Sequence, residues 1–84
     1  MIRVKYFASL RERMNRGEDQ IEVSDDQLTL ADVLARLTLP DGQTLQQLSL
    51  GETMMLSVNH EMVEMDHVVK EGDEIGVFPP VTGG

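Results

Sequence analysis

The residues best suited to chemistry stand in the last seven positions, Phe78-Pro79-Pro80-Val81-Thr82-Gly83-Gly84. Two consecutive prolines cannot donate to a sheet ladder and favour a polyproline II path. They therefore end a preceding strand and project the remaining residues away from it. Six extended residues reach about 20 Å from a domain surface. The two glycines lack side chains, so a narrow channel admits them and an attacking group reaches the terminal carboxylate unhindered. A stiff stem carrying a bare carboxylate is what acyl activation of a C-terminus needs. A Gly-Gly end alone reads as a frayed terminus, but the Pro-Pro stem directly behind a strand favours a function.

Other reactive types are sparse or badly spaced. The chain has no cysteine, which excludes a disulfide framework, a zinc ribbon, an iron–sulfur site and a cysteine nucleophile. His60 and His67 lie near Glu61, Glu64 and Asp66, yet their spacing fits no helical or hairpin ligand pattern, so no metal is expected. Ser9, Ser24, Ser49 and Ser57 have no histidine placed to complete a triad. No glycine-rich phosphate loop exists, so any ATP would be bound by a partner. Met54, Met55, Met62 and Met65 alternate along expected strands, and core filling accounts for at least half of them.

The elements that must position the terminus come from a short chain. Its 84 residues make one domain with one compact core. Apolar residues make up 40 %, which argues against wholesale disorder. Seven Lys and Arg against fifteen Asp and Glu give a net charge of −8, the wrong sign for holding phosphate backbones. No nucleic-acid partner is expected. The charge is lopsided: residues 1–17 carry five basic groups (Arg3, Lys5, Arg11, Arg13, Arg16) against Glu12 alone, and residues 18–84 carry two against fourteen acids. Such a surface suits solubility and steers basic partners. Met1-Ile2-Arg3-Val4-Lys5 breaks its apolar residues with charge, unlike a signal peptide, and no apolar run approaches the roughly 18 residues of a membrane helix. A cytoplasmic location without membrane contact is the expectation.

Ile2, Val4, Tyr6 and Ala8 alternate with Arg3, Lys5 and Phe7, the period of a half-buried strand. Ser9 and Glu12 have the spacing of a capping box for a short helix reaching about Met14, stopped by Asn15-Arg16-Gly17. Residues 20–24 alternate again as a second strand, antiparallel to the first. Thr29 caps a second helix with Asp32 in its first turn, and Leu30, Val33, Leu34 and Leu37 form one apolar stripe. Leu39-Pro40-Asp41-Gly42 ends it with turn chemistry. Residues 38–53 otherwise suggest no element. Strands come next at 54–58, 62–65 and 74–78, with a turn at Glu71-Gly72-Asp73. Strands flanking one main amphipathic helix make an α+β fold, a mixed sheet of about five strands compatible with a β-grasp. The division is a domain over 1–78 and a flexible tail over 79–84.

The run from Glu71 through Phe78 to Gly84 resembles the C-terminal signature of the molybdopterin synthase small subunit family. The opening Ile2-Arg3-Val4-Lys5-Tyr6-Phe7-Ala8, then Leu10-Arg11-Glu12, and Val58-Asn59 match it as well. Val77 stands where that family often has an aromatic residue. The resemblance implies a ubiquitin-like β-grasp sulfur carrier that binds no cofactor itself. An adenylating enzyme would use ATP to activate Gly84, and a sulfur donor would convert the acyl-adenylate to a thiocarboxylate. Pro79, Pro80, Val81, Thr82 and Gly83 would then thread into the molybdopterin synthase large subunit within a heterotetramer. There the Gly84 sulfur would attack a cyclic pyranopterin precursor, with the large subunit supplying the catalytic side chains. Phe7, Met62 and Phe78 would form an apolar interface beside the tail's root, with Arg11 at the rim; ordinary packing is the competing role for each.

Three other functions fit the same features less well. A ubiquitin-like modifier would join Gly84 to lysines of target proteins. A thiazole-pathway sulfur carrier shares the Gly-Gly end, but such chains tend to be shorter and lack the Phe-Pro-Pro-Val-Thr stem. A plain interaction domain would tolerate a residue added after Gly84.

Overall fold

The computed structural model describes residues 1–23, 27–51 and 53–79. Strand β1 (Ile2–Tyr6) buries Ile2, Val4 and Tyr6 and turns Arg3 and Lys5 outward, as strict alternation requires. Helix α1 (Ala8–Met14) comes next, then β2 (Glu18–Ile21), α2 (Leu30–Leu34) and α3 (Leu45–Gly51). The chain closes with β3 (Met55–Val58), β4 (Glu61–Val63) and β5 (Glu74–Phe78). The five strands form one mixed sheet in the order β2-β1-β5-β3-β4. Strands β1 and β5 are its parallel centre, with Val4 opposite Ile75 and Tyr6 opposite Val77. The pairs β1–β2, β3–β5 and β3–β4 are antiparallel.

The core lies on one face of this sheet. Ile2, Val4, Ile75 and Val77 meet Leu10 and Met14 of α1, Leu30, Val33 and Leu34 of α2, and Leu45 of α3, all of them buried. Strands β3 and β4 are joined by Asn59-His60, with φ of 51° and 72°. A two-residue hairpin turn with both central residues left-handed matches the right-handed twist of its strands, and asparagine tolerates that conformation well. Asn59 also ties this hairpin to β5. Its Nδ2 donates to Asp73 Oδ1 at 3.0 Å and its Oδ1 accepts from the Glu74 amide at 3.0 Å.

Several elements differ from the sequence expectation. Ser9 does not cap α1: the N-cap is Phe7, without a side-chain cap, and the helix starts at Ala8. Ala8 at φ 53° turns the chain sharply out of β1, so Ser9 already sits inside the first turn. Strand β2 is shifted toward the N-terminus of residues 20–24, because its ladder to β1 runs from Glu18 opposite Lys5 to Ile21 opposite Ile2. Helix α2 is shorter than its apolar stripe. The Leu37 carbonyl accepts from the Leu45 amide at 2.8 Å, which draws Leu37 into the approach to α3 while leaving its side chain buried. Helix α3 fills the stretch where no element was expected. Thr44 Oγ1 accepts from the Gln47 amide at 3.1 Å and Gln47 Oε1 accepts from the Thr44 amide at 2.9 Å, a reciprocal cap spelled Thr-x-x-Gln.

Thr29 does cap α2 as expected, with Asp32 Oδ2 accepting from the Thr29 amide at 3.0 Å. These bonds, the backbone one first and the hydroxyl second, hold the Asp32 carboxyl below its ordinary value of 3.8. A depressed carboxylate pKa contributes stability above the unfolded value and loses it as pH falls through the folded one. Asp32→Ala is therefore expected to lower the thermal midpoint at neutral pH. The gap to the parent should close as the solution is acidified below 3.8. A gap that persists unchanged in acid would mean that the carboxylate charge plays no part.

Candidate functional site

The face of the sheet opposite the core divides into two halves. Register sets Arg3 beside Glu74, Lys5 beside Gly76, Met55 beside Phe78 and Met62 beside Ser57. At one end Glu74 gathers basic side chains: Arg3 Nη2 lies 2.9 Å and Lys5 Nζ 3.6 Å from its Oε1, and His60 Nε2 lies 3.7 Å from its Oε2. At the other end the residues are apolar. Phe7 is 40 % exposed, Met55 39 % and Met62 56 %, too much for core residues and enough for a partner to cover.

Phe7 directly follows β1 and Phe78 ends β5, its parallel neighbour, and the Phe7 amide donates to the Val77 carbonyl at 3.2 Å. Their rings stack with centroids 4.5 Å apart and planes within 7°. The pair sits immediately before Pro79, so the apolar half of the face lies at the root of the C-terminal segment. Arg11, on α1, shares a shallow depression with Lys5, Tyr6, Phe7, Gly17 and Glu18. Phe7, Phe78, Met62 and, at the margin, Arg11 thus occupy one side of the domain. Pro79 is half-buried. The remaining tail residues, Pro80, Val81, Thr82, Gly83 and Gly84, lie outside the described residues.

Met55 belongs to this surface, although its spacing was equally consistent with core filling. Met54 and Met65 do pack on the core, whereas Met55 and Met62 face outward. The signal that separates them is alternation: Met55 is in phase with Ser57, not with Leu56.

Behind this face, a polar network fixes the end of β1. Tyr6 Oη donates to Asp19 Oδ2 at 2.7 Å, and Arg16 Nε donates to the same oxygen at 2.6 Å. Arg16 also donates to the carbonyls of Met14 and Thr38, at 3.0 and 2.8 Å, joining α1, β2 and the approach to α3. Burial pushes the Tyr6 phenol well up, and its bond to Asp19 pushes it further, so it remains a neutral donor. This network is structural. Among the described residues no group of three His, Cys, Asp or Glu converges as metal ligands. The described part of the site is an exposed apolar surface at the root of the C-terminal segment.

A five-stranded mixed sheet with a parallel central pair, closed over by helices on one face, defines a ubiquitin-like β-grasp domain. The model of the ThiS family matches residues 4–84, and the chain belongs to that family. It is 36 % identical to the molybdopterin synthase sulfur carrier subunit of Escherichia coli over 84 residues, covering 100 % of each chain. It is 32 % identical to small archaeal modifier protein 3 of Haloferax volcanii, covering 99 % of this chain and 98 % of that one. The fold is also that of a solved Helicobacter pylori structure, a complex of subunits 1 and 2 of molybdopterin-converting factor. There the TM-score is 0.61 and the identity 21 %, over 99 % of this chain and 97 % of that one.

Proposed function

We propose that this chain is the sulfur carrier of molybdenum cofactor synthesis, the small subunit of molybdopterin synthase. The observation that carries this reading is the full-length likeness to a molybdopterin synthase sulfur carrier subunit. A carboxylate is a poor electrophile, so Gly84 must first be activated. One carboxylate oxygen attacks the α-phosphorus of ATP on an adenylating enzyme; pyrophosphate leaves and an acyl-adenylate forms. Sulfide-level sulfur released by a sulfur donor then attacks the carbonyl carbon as HS⁻, and AMP leaves with the electron pair of the broken C–O bond. Loss of the remaining S–H proton leaves a thiocarboxylate, a nucleophile requiring no cysteine on this chain. The apolar face and the tail dock on the large subunit, which contributes the catalytic side chains for attack on the cyclic pyranopterin precursor. ATP belongs to the activating enzyme, and this chain binds no cofactor. The cytoplasmic setting is part of the same reading; no helix among the described residues is long and apolar enough to cross a membrane.

Intact-protein mass spectrometry after incubation with ATP, an activating enzyme and a sulfur donor tests it. The expected result is replacement of one oxygen by sulfur, located at Gly84. No mass change, with the enzyme shown to be active on another carrier, would overturn the proposal. The likeness to an archaeal modifier protein favours a second reading, conjugation of Gly84 to lysines. It predicts higher-mass adducts of other proteins in a cell extract supplied with ATP.

A further inference from the structure

The stacked rings at the tail's root need a floor, and the floor is a glycine. Gly76 is buried in the central strand β5, on the same outward-facing register as Glu74 and Phe78. Glycine in a strand interior weakens the strand and often marks a close approach by another group. Here the approaching groups are identifiable. A methyl group built on Gly76 would stand 3.1 Å from Phe78 Cε1, 3.3 Å from Phe7 Cε2 and 2.5 Å from Ser57 Oγ. Both aromatic rings therefore lean back over the bare α-carbon of Gly76. Their stack occupies the space that a side chain would claim.

We infer that Gly76 is a positioning residue: its missing side chain seats the Phe7–Phe78 stack, and the seat fixes how Phe78 and Pro79 present the C-terminal segment to its partners. The inference rests on the reading that the terminal segment is activated and then docked. The Phe78 ring leaves this seat by turning about its side-chain bonds or by shifting the backbone that leads into Pro79. The Phe7 backbone is held by its amide's bond to Val77, so the Phe7 ring leaves by side-chain rotation and does not travel with Phe78. A side chain at 76 therefore breaks the stack rather than lifting it whole. The hydroxyl of Ser57 can rotate away, whereas the two rings are confined by each other.

The test uses the full chain with Ser57→Ala as the reference, so that the hydroxyl clash is removed and only the rings remain. Gly76→Ala and Gly76→Val are added to that background. Three quantities are measured: the thermal midpoint, nuclear Overhauser contacts between the Phe7 and Phe78 rings, and the kinetics of thiocarboxylation by the activating enzyme. The expected result is a graded loss of inter-ring contacts, from Ala to Val, with a thermal midpoint that falls by the strain of the displaced rings yet stays above the assay temperature. The carrier's KM should rise about tenfold for Gly76→Val, the scale of losing a well-packed aromatic anchor, while kcat changes little. Retained inter-ring contacts in Gly76→Val would overturn the seat. Lost contacts with an unchanged KM would overturn the positioning role. A reference chain that never acquires sulfur would instead overturn the functional reading, and the ring contacts would still decide whether Gly76 seats the stack.

Discussion

Appending one residue after Gly84, or deleting Gly84, is expected to reduce sulfur transfer at least about a thousandfold while leaving the thermal midpoint unchanged. One added extended residue moves the terminal carboxylate by about 3.5 Å. A misplacement of about 1 Å from a productive geometry already costs on the order of a hundredfold. The added side chain also removes the open approach that two glycines leave around the carbonyl. Stability should not change, because among the described residues the buried core runs from Ile2 to Val77. Single-turnover thiocarboxylation followed by intact mass checks the first part, and thermal unfolding checks the second. Sulfur incorporation at near-parental rate on the extended chain would sink the carrier mechanism. That outcome is the one expected of a domain whose terminus does nothing.

The elements closest to the site were the most legible in the sequence. Strands β1 and β5 carry strict alternation, and β5 is bracketed by Glu71-Gly72-Asp73 before it and Pro79-Pro80 after it. Its observed bounds, Glu74–Phe78, coincide with those expected. The Thr29 cap was legible for a similar reason, since both halves of the motif lie within one local turn. Ser9 shows how such a motif misleads: its hydroxyl has the right spacing to Glu12, but the sharp exit from β1 at Ala8 starts the helix two residues too early for it. Helix α3 shows the reverse case. Thr44 and Gln47 form a genuine reciprocal cap, obscured by the glycine, proline and polar residues around it. The outward position of Phe7 was readable from its phase against Val4 and Tyr6. Its stacking on Phe78 was not, because the parallel pairing of β1 with β5 joins segments some seventy residues apart in sequence, and no local pattern encodes it. Gly76 was missed for the same reason. A lone glycine in a strand gains its meaning only from the neighbours that lean over it.

Phe7→Ala and Phe78→Ala are expected to weaken binding to the large subunit by about 2–3 kcal/mol each, roughly thirty- to a hundred-and-fifty-fold per folded molecule, beside the folding stability lost with their stacked packing. Aromatic residues at the centre of a covered patch dominate interface energies, and these two stand where the domain meets its tail. Phe7 is 40 % exposed in the free domain, so a partner has a large part of its ring left to cover. Leu34→Ala supplies the opposite case. Leu34 is fully buried beneath α2, and its truncation should destabilise the domain by about 2–5 kcal/mol. It touches nothing on the outer face, so binding per folded molecule should be unchanged. Calorimetric titration with the large subunit, alongside thermal unfolding, separates the two effects. The loss from the Phe7 and Phe78 double variant should fall short of the sum of the single losses, because each ring rests on the other at 4.5 Å and either truncation already breaks the stack. Full additivity would mean that the rings bind the partner independently. Parental affinity in the double variant would mean that this face is not the docking surface, and that the tail alone carries recognition.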